Sequence, residues 1–501
     1  MRVAIIGGGI SGLTAAYELE LARKRGADID WHLYEASDRL GGIIETTRKD
    51  GFILEGGPDG WVSEKPWARD LAIELGLEDQ LIYSNDATRK TYILKDGQLL
   101  PIPGSMRLMV PTDLAALDSS PLFSPEAKRA YADEPARADE LKASAPTQDE
   151  SVADFTRRHF GDEVLNTLAA PLLSGVFGGD VHKLSVRAVM PQFVAMEREH
   201  GSLILALQSK RRLEKPQPIF TSLRDGMATL VEALASKLPP ERIHHTVFGE
   251  APGMASDGWR LYTIGVHFVP QRGKPYPSAG PFDHVIVTVR GEALTDALRY
   301  VDHDRKKPPP KQSAEQLVPA DASSVILVAF AWSAETASTF TIPAGFGFLV
   351  PATSLSSRPE RSEVERPASS SQRHESQLLA CTFVDQKFPH RAPNGGRVLR
   401  AFFGGPAADA LASATDDQIT EAALNQLRQT LGSIPEPTHT TVRRLPRSLP
   451  QYEVGHLDRI ARLETLVSQQ PGLHLLGNAY RGVGLPDLIR DARSAARALT
   501  Q

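Results

Sequence analysis

RVAIIGGGISGLTAAYELELARKRG, residues 2–26, decides how this chain starts to fold. Val3–Ile6 is a short apolar run rich in β-branched side chains, the composition of a strand buried on both faces. Gly7, Gly9 and Gly12 follow in the spacing G-x-G-x-x-G. Leu13, Ala16, Tyr17 and Leu19–Leu21 then lay down a helical stripe. The three glycines have separate jobs. Gly7 permits the tight turn, Gly9 lets a pyrophosphate reach the backbone, and Gly12 lets the helix pack on the strand. The helix start, with Ser11 in its first turn, offers free N–H groups and a positive dipole end to an anion. A second strand, DIDWHLYE (28–35), ends at Glu35, about 20 residues on, where a ribose needs an acceptor. Strand, glycines, helix and acid in this register predict a dinucleotide cradle.

The next residues separate one dinucleotide from another. EASDRLGGIIET (35–46) runs straight on from Glu35 and carries Arg39, Gly41 and Gly42. It resembles the extended FAD fingerprint of the amine-oxidase-like flavoproteins, where an arginine and a glycine pair complete the pyrophosphate and flavin cradle. GFILEGGPDGWVSEKPW (51–67) is glycine-rich and aromatic and suits a loop reaching the flavin through Gly57. Near the C-terminus, GNAYRGVGLPDLI (477–489) reads as a glycine-rich loop from Gly477 to Gly484, then a helix with Leu485 and Pro486 in its first turn. For a flavin, that helix start would face the N1/C2=O edge, where charge gathers on reduction.

The chain has 501 residues, enough for two or three domains. Its net charge is −5, from 56 basic and 61 acidic residues, so no basic excess points to nucleic acid. One cysteine, Cys381, excludes an intramolecular disulfide and a cysteine-built metal site. A reducing compartment fits that cysteine count. No signal peptide precedes the first strand, and no run of about 18 apolar residues predicts a membrane span. The expected location is cytoplasmic, with peripheral contact at the inner face of the membrane left open. No histidine spacing suggests a metal; His159, His182, His390 and His456 are read as structural.

Along the chain the predicted fold class is multidomain, α/β and α+β. A Rossmann-like FAD-binding domain is assembled from 1–85, 216–300 and 440–501, discontinuous in sequence. A mixed-sheet substrate-binding domain takes 86–100 and 301–439, and a helical domain takes 101–215. TYILKDGQLLPIP (91–103) reads as a hairpin turning at Asp96-Gly97. FDHVIVTV (282–289) reads as a buried strand that returns to the first sheet. Met106, Leu108, Met109, Leu114, Leu117, Leu122 and Phe123 are read as core first and a membrane-facing surface second. DHDRKKPPPKQSAEQ (302–316) and SSRPERSEVERPASSSQRHES (356–376) read as solvated loops.

PAGFGFLVP (343–351) poses a separate question, because glycine weakens a strand and often marks a close approach by a ligand or another backbone. GFGFLVP (345–351), FVDQKFPHRAP (383–393), PQYEVGHLDRI (450–460), LLSGVFGGD (172–180) and GNAYRGVGLPDLI (477–489) together resemble the protoporphyrinogen oxidases, FAD enzymes of the last steps of porphyrin synthesis. The likeness spans nearly the whole chain and implies a fold of the amine oxidase/p-hydroxybenzoate-hydroxylase-like type. It implies that Phe346 and Leu349 sandwich a porphyrinogen ring, with Gly347 letting the backbone near it. It implies that Gly175 offers its backbone to a pyrrole N–H and that Val247 contacts the adenine. Asp59 stands near a substrate carboxylate, where a water bridge, a proton-handling role and a plain turn all stay open. Thr91 stands where several members carry a carboxylate-anchoring arginine; Arg89, just upstream beside Lys90, is the expected replacement.

The resemblance further implies that FAD takes hydride from a methylene bridge and O2 takes the electrons on to peroxide. No catalytic side chain is expected, since the flavin does the hard step. Protoporphyrinogen IX and coproporphyrinogen III stay open as substrate. Monomer or homodimer, and contact with ferrochelatase or another heme-pathway enzyme, stay open too. Competing readings are another flavoenzyme of this fold, an amine oxidase or carotenoid desaturase, and a non-catalytic flavin- and tetrapyrrole-binding scaffold.

Overall fold

A computed structural model describes residues 1–211, 218–255, 258–265, 278–289, 317–319, 321–351 and 377–500, with backbone only at 210–211, 247–255, 258–265 and 278. The two polar segments 302–316 and 356–376 fall outside the described residues.

The first strand, Arg2–Ile6, sits in the middle of a five-stranded parallel sheet. Its neighbours are Asp30–Tyr34 on one side and His284–Val287 on the other, with Ile243–His244 and Leu473–Leu475 at the edges. The dinucleotide domain is therefore discontinuous: its strands come from the start, middle and end of the chain. Val3, Ala4, Ile5 and Trp31 are all 0% exposed, as the near-continuous apolar runs require of a sheet covered on both faces. Helices Ile10–Lys24 and Leu485–Ala498 pack against each other on one face. Val3, Ile5, Leu13, Leu33, Ile286, Leu488 and Ile489 share one core there.

The second sheet has seven strands in the order His439–Pro450, Ala322–Trp332, Arg397–Gly404, Ala380–Phe383, Gly347–Leu349, Thr91–Lys95, Gln98–Pro101. All neighbours are antiparallel except Gly347–Leu349 with Thr91–Lys95, so the sheet is mixed. Asp96 at φ 51° and Gly97 at φ 75° make the tight turn of its edge hairpin. The strand His439–Pro450 runs the length of Ala322–Trp332, so this sheet extends past the 440 boundary read from sequence.

Residues 115–211 are helical and enclose their own core. Met109, Leu117, Leu122 and Phe123 are buried in it, and Met106 and Leu114 pack on its edge. Of that apolar set only Leu108 is exposed, so the set is core rather than a membrane face. No helix among the described residues is long and apolar enough to cross a membrane. Ser151 caps the helix Val152–Val164 by accepting from Asp154 N at 3.0 Å. A π-helical turn, Leu165–Ala169, then leads into Ala170–Phe177, which stops at left-handed Gly178.

Two cross-strand histidine pairs brace the parallel sheet. His32 and His244 are hydrogen-bonded at 3.0 Å, and His284 and His474 at 3.1 Å. Burial, with His284 alongside, pulls His474 down to about 4. The unfolded chain binds that proton more tightly, so the stabilisation is present above pH ~6.5 and is lost as pH falls towards 4. Thermal midpoints measured from pH 7.5 to 4.5 should fall less steeply for His474→Gln than for the parent. Parallel curves would remove His474 from the account.

Candidate active site

The cradle forms where the parallel strands end, the usual ligand crevice of such sheets. Gly7 turns at φ +104°, and a Cβ there would lie 2.6 Å from the Thr288 hydroxyl. That hydroxyl donates to the Ile6 carbonyl at 2.8 Å and ties the turn to the neighbouring strand. A Cβ on Gly12 would sit 1.9 Å from the Gly7 carbonyl oxygen, so helix and turn touch directly. Gly9 differs: a Cβ there would meet nothing within 4 Å. Its open side would admit a phosphate.

The helix Ile10–Lys24 that starts here has no side-chain cap and no acidic residue in its first turn. Its first N–H groups are left for an anion, with Ser11 buried beside them. Glu35 accepts from Gly8 N at 2.6 Å and from Ser37 N at 2.8 Å, which fixes the carboxylate at the strand end. These residues fit the pyrophosphate and ribose of a dinucleotide. Val247 begins a neighbouring strand, and its side chain lies outside the described residues.

Arg39 is a loop clamp. It donates to the carbonyls of Leu40, Gly42 and Ile44 and pairs with Glu45 at 3.3 Å. Gly41 N donates to the Gly8 carbonyl at 2.8 Å, so this loop lies against the first glycine turn. Gly41 (φ +105°) and Gly42 (φ +59°) hold left-handed conformations there. Gly57 packs on the same loop, with a Cβ placed only 2.0 Å from the Ile43 carbonyl oxygen. Arg39→Ala should lower FAD affinity roughly tenfold, about 1.4 kcal/mol, through loss of loop order. Full flavin content with an unchanged melting temperature would refute this role.

Gly477, at φ +125°, passes the Thr288 carbonyl, and Gly484 precedes the helix Leu485–Ala498, whose second residue is Pro486. Leu485 and Pro486 are buried. This helix also lacks a side-chain cap. Asp487 in its first turn is bound by Lys65 at 2.5 Å and Arg490 at 3.2 Å. Lys65, just past the strand Trp61–Val62, thus ties the segment that follows Gly57 to this second helix start. Every described residue expected at the cofactor gathers at this one end of the sheet.

At the glycine-interrupted strand, backbone makes the close approach. A Cβ on Gly345 would lie 2.4 Å from the Lys90 carbonyl oxygen, and one on Gly347 2.0 Å from that of Cys381. Neighbouring backbone presses on both glycines. Gly347 also sits at φ +140° and interrupts the side-chain alternation. Phe348 joins the sheet core, whereas Phe346, itself 7% exposed, is not part of that core. Leu349 leans towards the helical domain and lies 3.2 Å from where a Cβ on Gly175 would be. So Gly175 and Leu349 meet, with Val176 beside them 53% exposed.

Arg89 is exposed and ends a 3₁₀ turn, outside the strand that starts at Thr91. The expected same-face relation to Thr91 therefore does not come from strand alternation. The Lys90 carbonyl accepts from Phe346 N at 2.7 Å, which puts the Arg89–Lys90 corner against the Phe346 backbone. Asp59 is not a free carboxylate: Lys387 holds it at 3.1 Å and Arg400 at 3.4 Å. Burial alone would raise its pKa, but Lys387 and Arg400 outweigh burial and lower it to about 2. Those two cations, with Glu55 and Arg391, escaped the sequence reading.

Two of the four histidines are built into the fold. His159 is buried between Glu134 and Glu197, and His456 is bonded to the Tyr480 carbonyl at 2.8 Å. His182 and His390 are exposed. No group of three or more metal-ligating side chains occurs among the described residues. Cys381 is buried in mid-strand, and burial pushes its thiol far up, so it is no nucleophile.

A coproporphyrinogen III oxidase of Bacillus subtilis is 32% identical over 99% of this chain and 97% of its own length. The Staphylococcus aureus coproporphyrinogen III oxidase is 29% identical over 99% and 98%. The chloroplastic protoporphyrinogen oxidase 1 of Arabidopsis thaliana is 28% identical over 98% and 86%. A crystal structure of a provisionally assigned protoporphyrinogen oxidase from Exiguobacterium superposes with a TM-score of 0.77, at 32% identity over 100% of this chain and 98% of that one. Putrescine oxidase, 16% identical with a TM-score of 0.62, shares the fold. The model of the flavin containing amine oxidoreductases matches residues 10–500, and with cradle, sheets and helical domain arranged as above, this chain belongs to that family.

Proposed function

We propose that the protein is an FAD-dependent porphyrinogen oxidase of heme synthesis, with coproporphyrinogen III as its preferred substrate. The observation that carries this reading is the full-length likeness to the Bacillus coproporphyrinogen III oxidase, with the intact cradle beneath it. FAD, when bound, supplies the hydride acceptor. The cofactor residues are Gly7, Gly9, Ser11, Gly12, Glu35, Arg39, Gly41, Gly42, Gly57, Val247, Gly477, Gly484, Leu485 and Pro486. The division into FAD-binding, substrate-binding and helical domains is proposed as read from sequence, with the strand His439–Pro450 moved to the substrate sheet.

Phe346 and Leu349 form the apolar walls for a broad, flat body, and Gly175, exposed beside Leu349, offers its backbone to a pyrrole N–H. Arg89 and Lys90 are exposed cations at the end of this wall, suited to substrate carboxylates. Coproporphyrinogen III carries propionates where protoporphyrinogen IX has vinyls, so it gains more from that corner. The protein's work is to hold one bridging carbon in place and keep water away. Three two-electron rounds convert porphyrinogen and three O2 to porphyrin and three H2O2.

Arg89→Ala should raise KM for coproporphyrinogen III roughly tenfold with kcat little changed, the mark of lost ground-state binding. Oxygen uptake tests the reaction itself. The reading requires three O2 consumed for each porphyrin formed. A flavin-loaded protein with no uptake above autoxidation would favour the scaffold reading.

A further inference from the structure

Five charged side chains converge beneath the loop Gly56–Gly60. Asp59 pairs with Lys387 and Arg400, and Glu55 with Arg391 at 3.0 Å. Arg391 donates to Ser222 Oγ at 2.6 Å, and Ser222 donates to the Asp59 carbonyl at 2.6 Å. Lys387 Nζ also lies 4.2 Å from the Phe220 ring centre. The side chains of Glu55 and Arg391 are 0% exposed, Arg400 3%, Lys387 10% and Asp59 14%. Three cations therefore face two anions, and one positive charge is left over in a nearly dry site.

The next acid acting on Arg391, Asp225, is exposed to solvent, so its charge is screened where the buried ones are not. Arg391 Nε and Nη1 and Arg400 Nε are buried with no protein partner. Burial pushes the Glu55 carboxyl up, and a neutral Glu55 would enlarge the surplus. An uncompensated buried charge is costly. The cluster touches the cradle directly. Arg400 donates to the Gly57 carbonyl, and Gly57 is pressed against Ile43 of the Arg39 loop. Lys65, past the short strand Trp61–Val62 that follows this loop, pairs with Asp487 at the start of the C-terminal helix.

We propose that this cluster is the counter-charge for the reduced cofactor, its surplus positive field stabilising the negative charge that the flavin ring gains with each hydride. The inference rests on the reading above in that it needs FAD in the cradle. When the substrate C–H bond breaks, the hydride carries two electrons and one proton to a neutral ring. The ring then bears one net negative charge, and the substrate sheds an N–H proton to solvent. A fixed positive charge in a low-dielectric site favours that state without touching the reacting carbon. Lys387 and Arg400 are positioning residues here, and Asp59 tempers their field.

Sulfite is the probe, because its addition to an oxidised flavin leaves the same negative charge on the ring. Flavin content, melting temperature, sulfite affinity and midpoint potential are measured for the holoprotein and for Lys387→Met, Asp59→Asn and Lys387→Arg. Lys387→Met should bind sulfite about tenfold more weakly and Asp59→Asn about tenfold more tightly. The potentials should move down and up respectively, by ~30 mV for each tenfold in a two-electron couple. Lys387→Arg should restore the parent values. Loss of packing would move both variants the same way, so opposite signs identify the field. Should Lys387→Met not fold, the sign of the shift in near-isosteric Asp59→Asn decides. Flavin-loaded variants that match the parent, or shift together, overturn the proposal. A parent protein that binds no flavin overturns the cofactor reading instead.

Discussion

Gly9→Val should fold like the parent and fail to hold FAD. The position is the one glycine of the fingerprint whose side-chain direction is empty, with nothing within 4 Å of a Cβ. Its backbone is extended at φ −73°, which any residue adopts, and it offers no side-chain cap to lose. The apoprotein should therefore lose no more than about 1 kcal/mol, from valine's poorer fit at a helix start. The pyrophosphate, by contrast, needs that empty space. An isopropyl group there should weaken FAD binding at least ~100-fold, about 2.7 kcal/mol. Gly12→Val is the control, because its Cβ lands 1.9 Å from the Gly7 carbonyl oxygen and strains the fold itself. Apoprotein melting and FAD titration separate the two. Tight FAD binding by Gly9→Val would mean that the cofactor does not enter where the glycines point.

Gly347→Ala should be the most damaging single methyl in the substrate domain. The new carbon would lie 2.0 Å from the Cys381 carbonyl oxygen and 2.8 Å from the Thr382 Cα, both backbone atoms held in the sheet. Gly347 also sits at φ +140°, which an L side chain resists. Overpacking and backbone strain together should cost about 3 kcal/mol or more. The expected result is a large drop in melting temperature, or an insoluble protein, with the Rossmann-like sheet unaffected in the first transition. Gly175→Ala is the informative partner. Its Cβ meets only the tip of Leu349, at 3.2 Å, so it should leave stability nearly intact while raising KM for the porphyrinogen.

The contrast between these positions tells what was legible in the sequence. The glycine fingerprint, Glu35 and the return strand at 284–287 follow local rules of turn, helix and buried strand, and each stands where it was expected. The hairpin at Asp96-Gly97 is local in the same sense. Gly345 and Gly347 announced a close approach, but a sequence does not say whether ligand or backbone is approaching. That answer depends on which strand lies alongside, and Ala380–Phe383 lies more than thirty residues further along the chain. The charge cluster was illegible for the same reason. Asp59 and Lys387 are 328 positions apart, and nothing about an isolated KFPHR turn forecasts a carboxylate beneath it. Arg89 was placed by counting along a strand that begins two residues later than the count assumed.

Porphyrin fluorescence is the direct test of the central claim. The purified, flavin-loaded protein is incubated in air with coproporphyrinogen III and, separately, with protoporphyrinogen IX, each against a protein-free control. The account predicts that both are oxidised faster than their controls, coproporphyrinogen III the faster of the two. FAD-loaded protein that accelerates neither would contradict it.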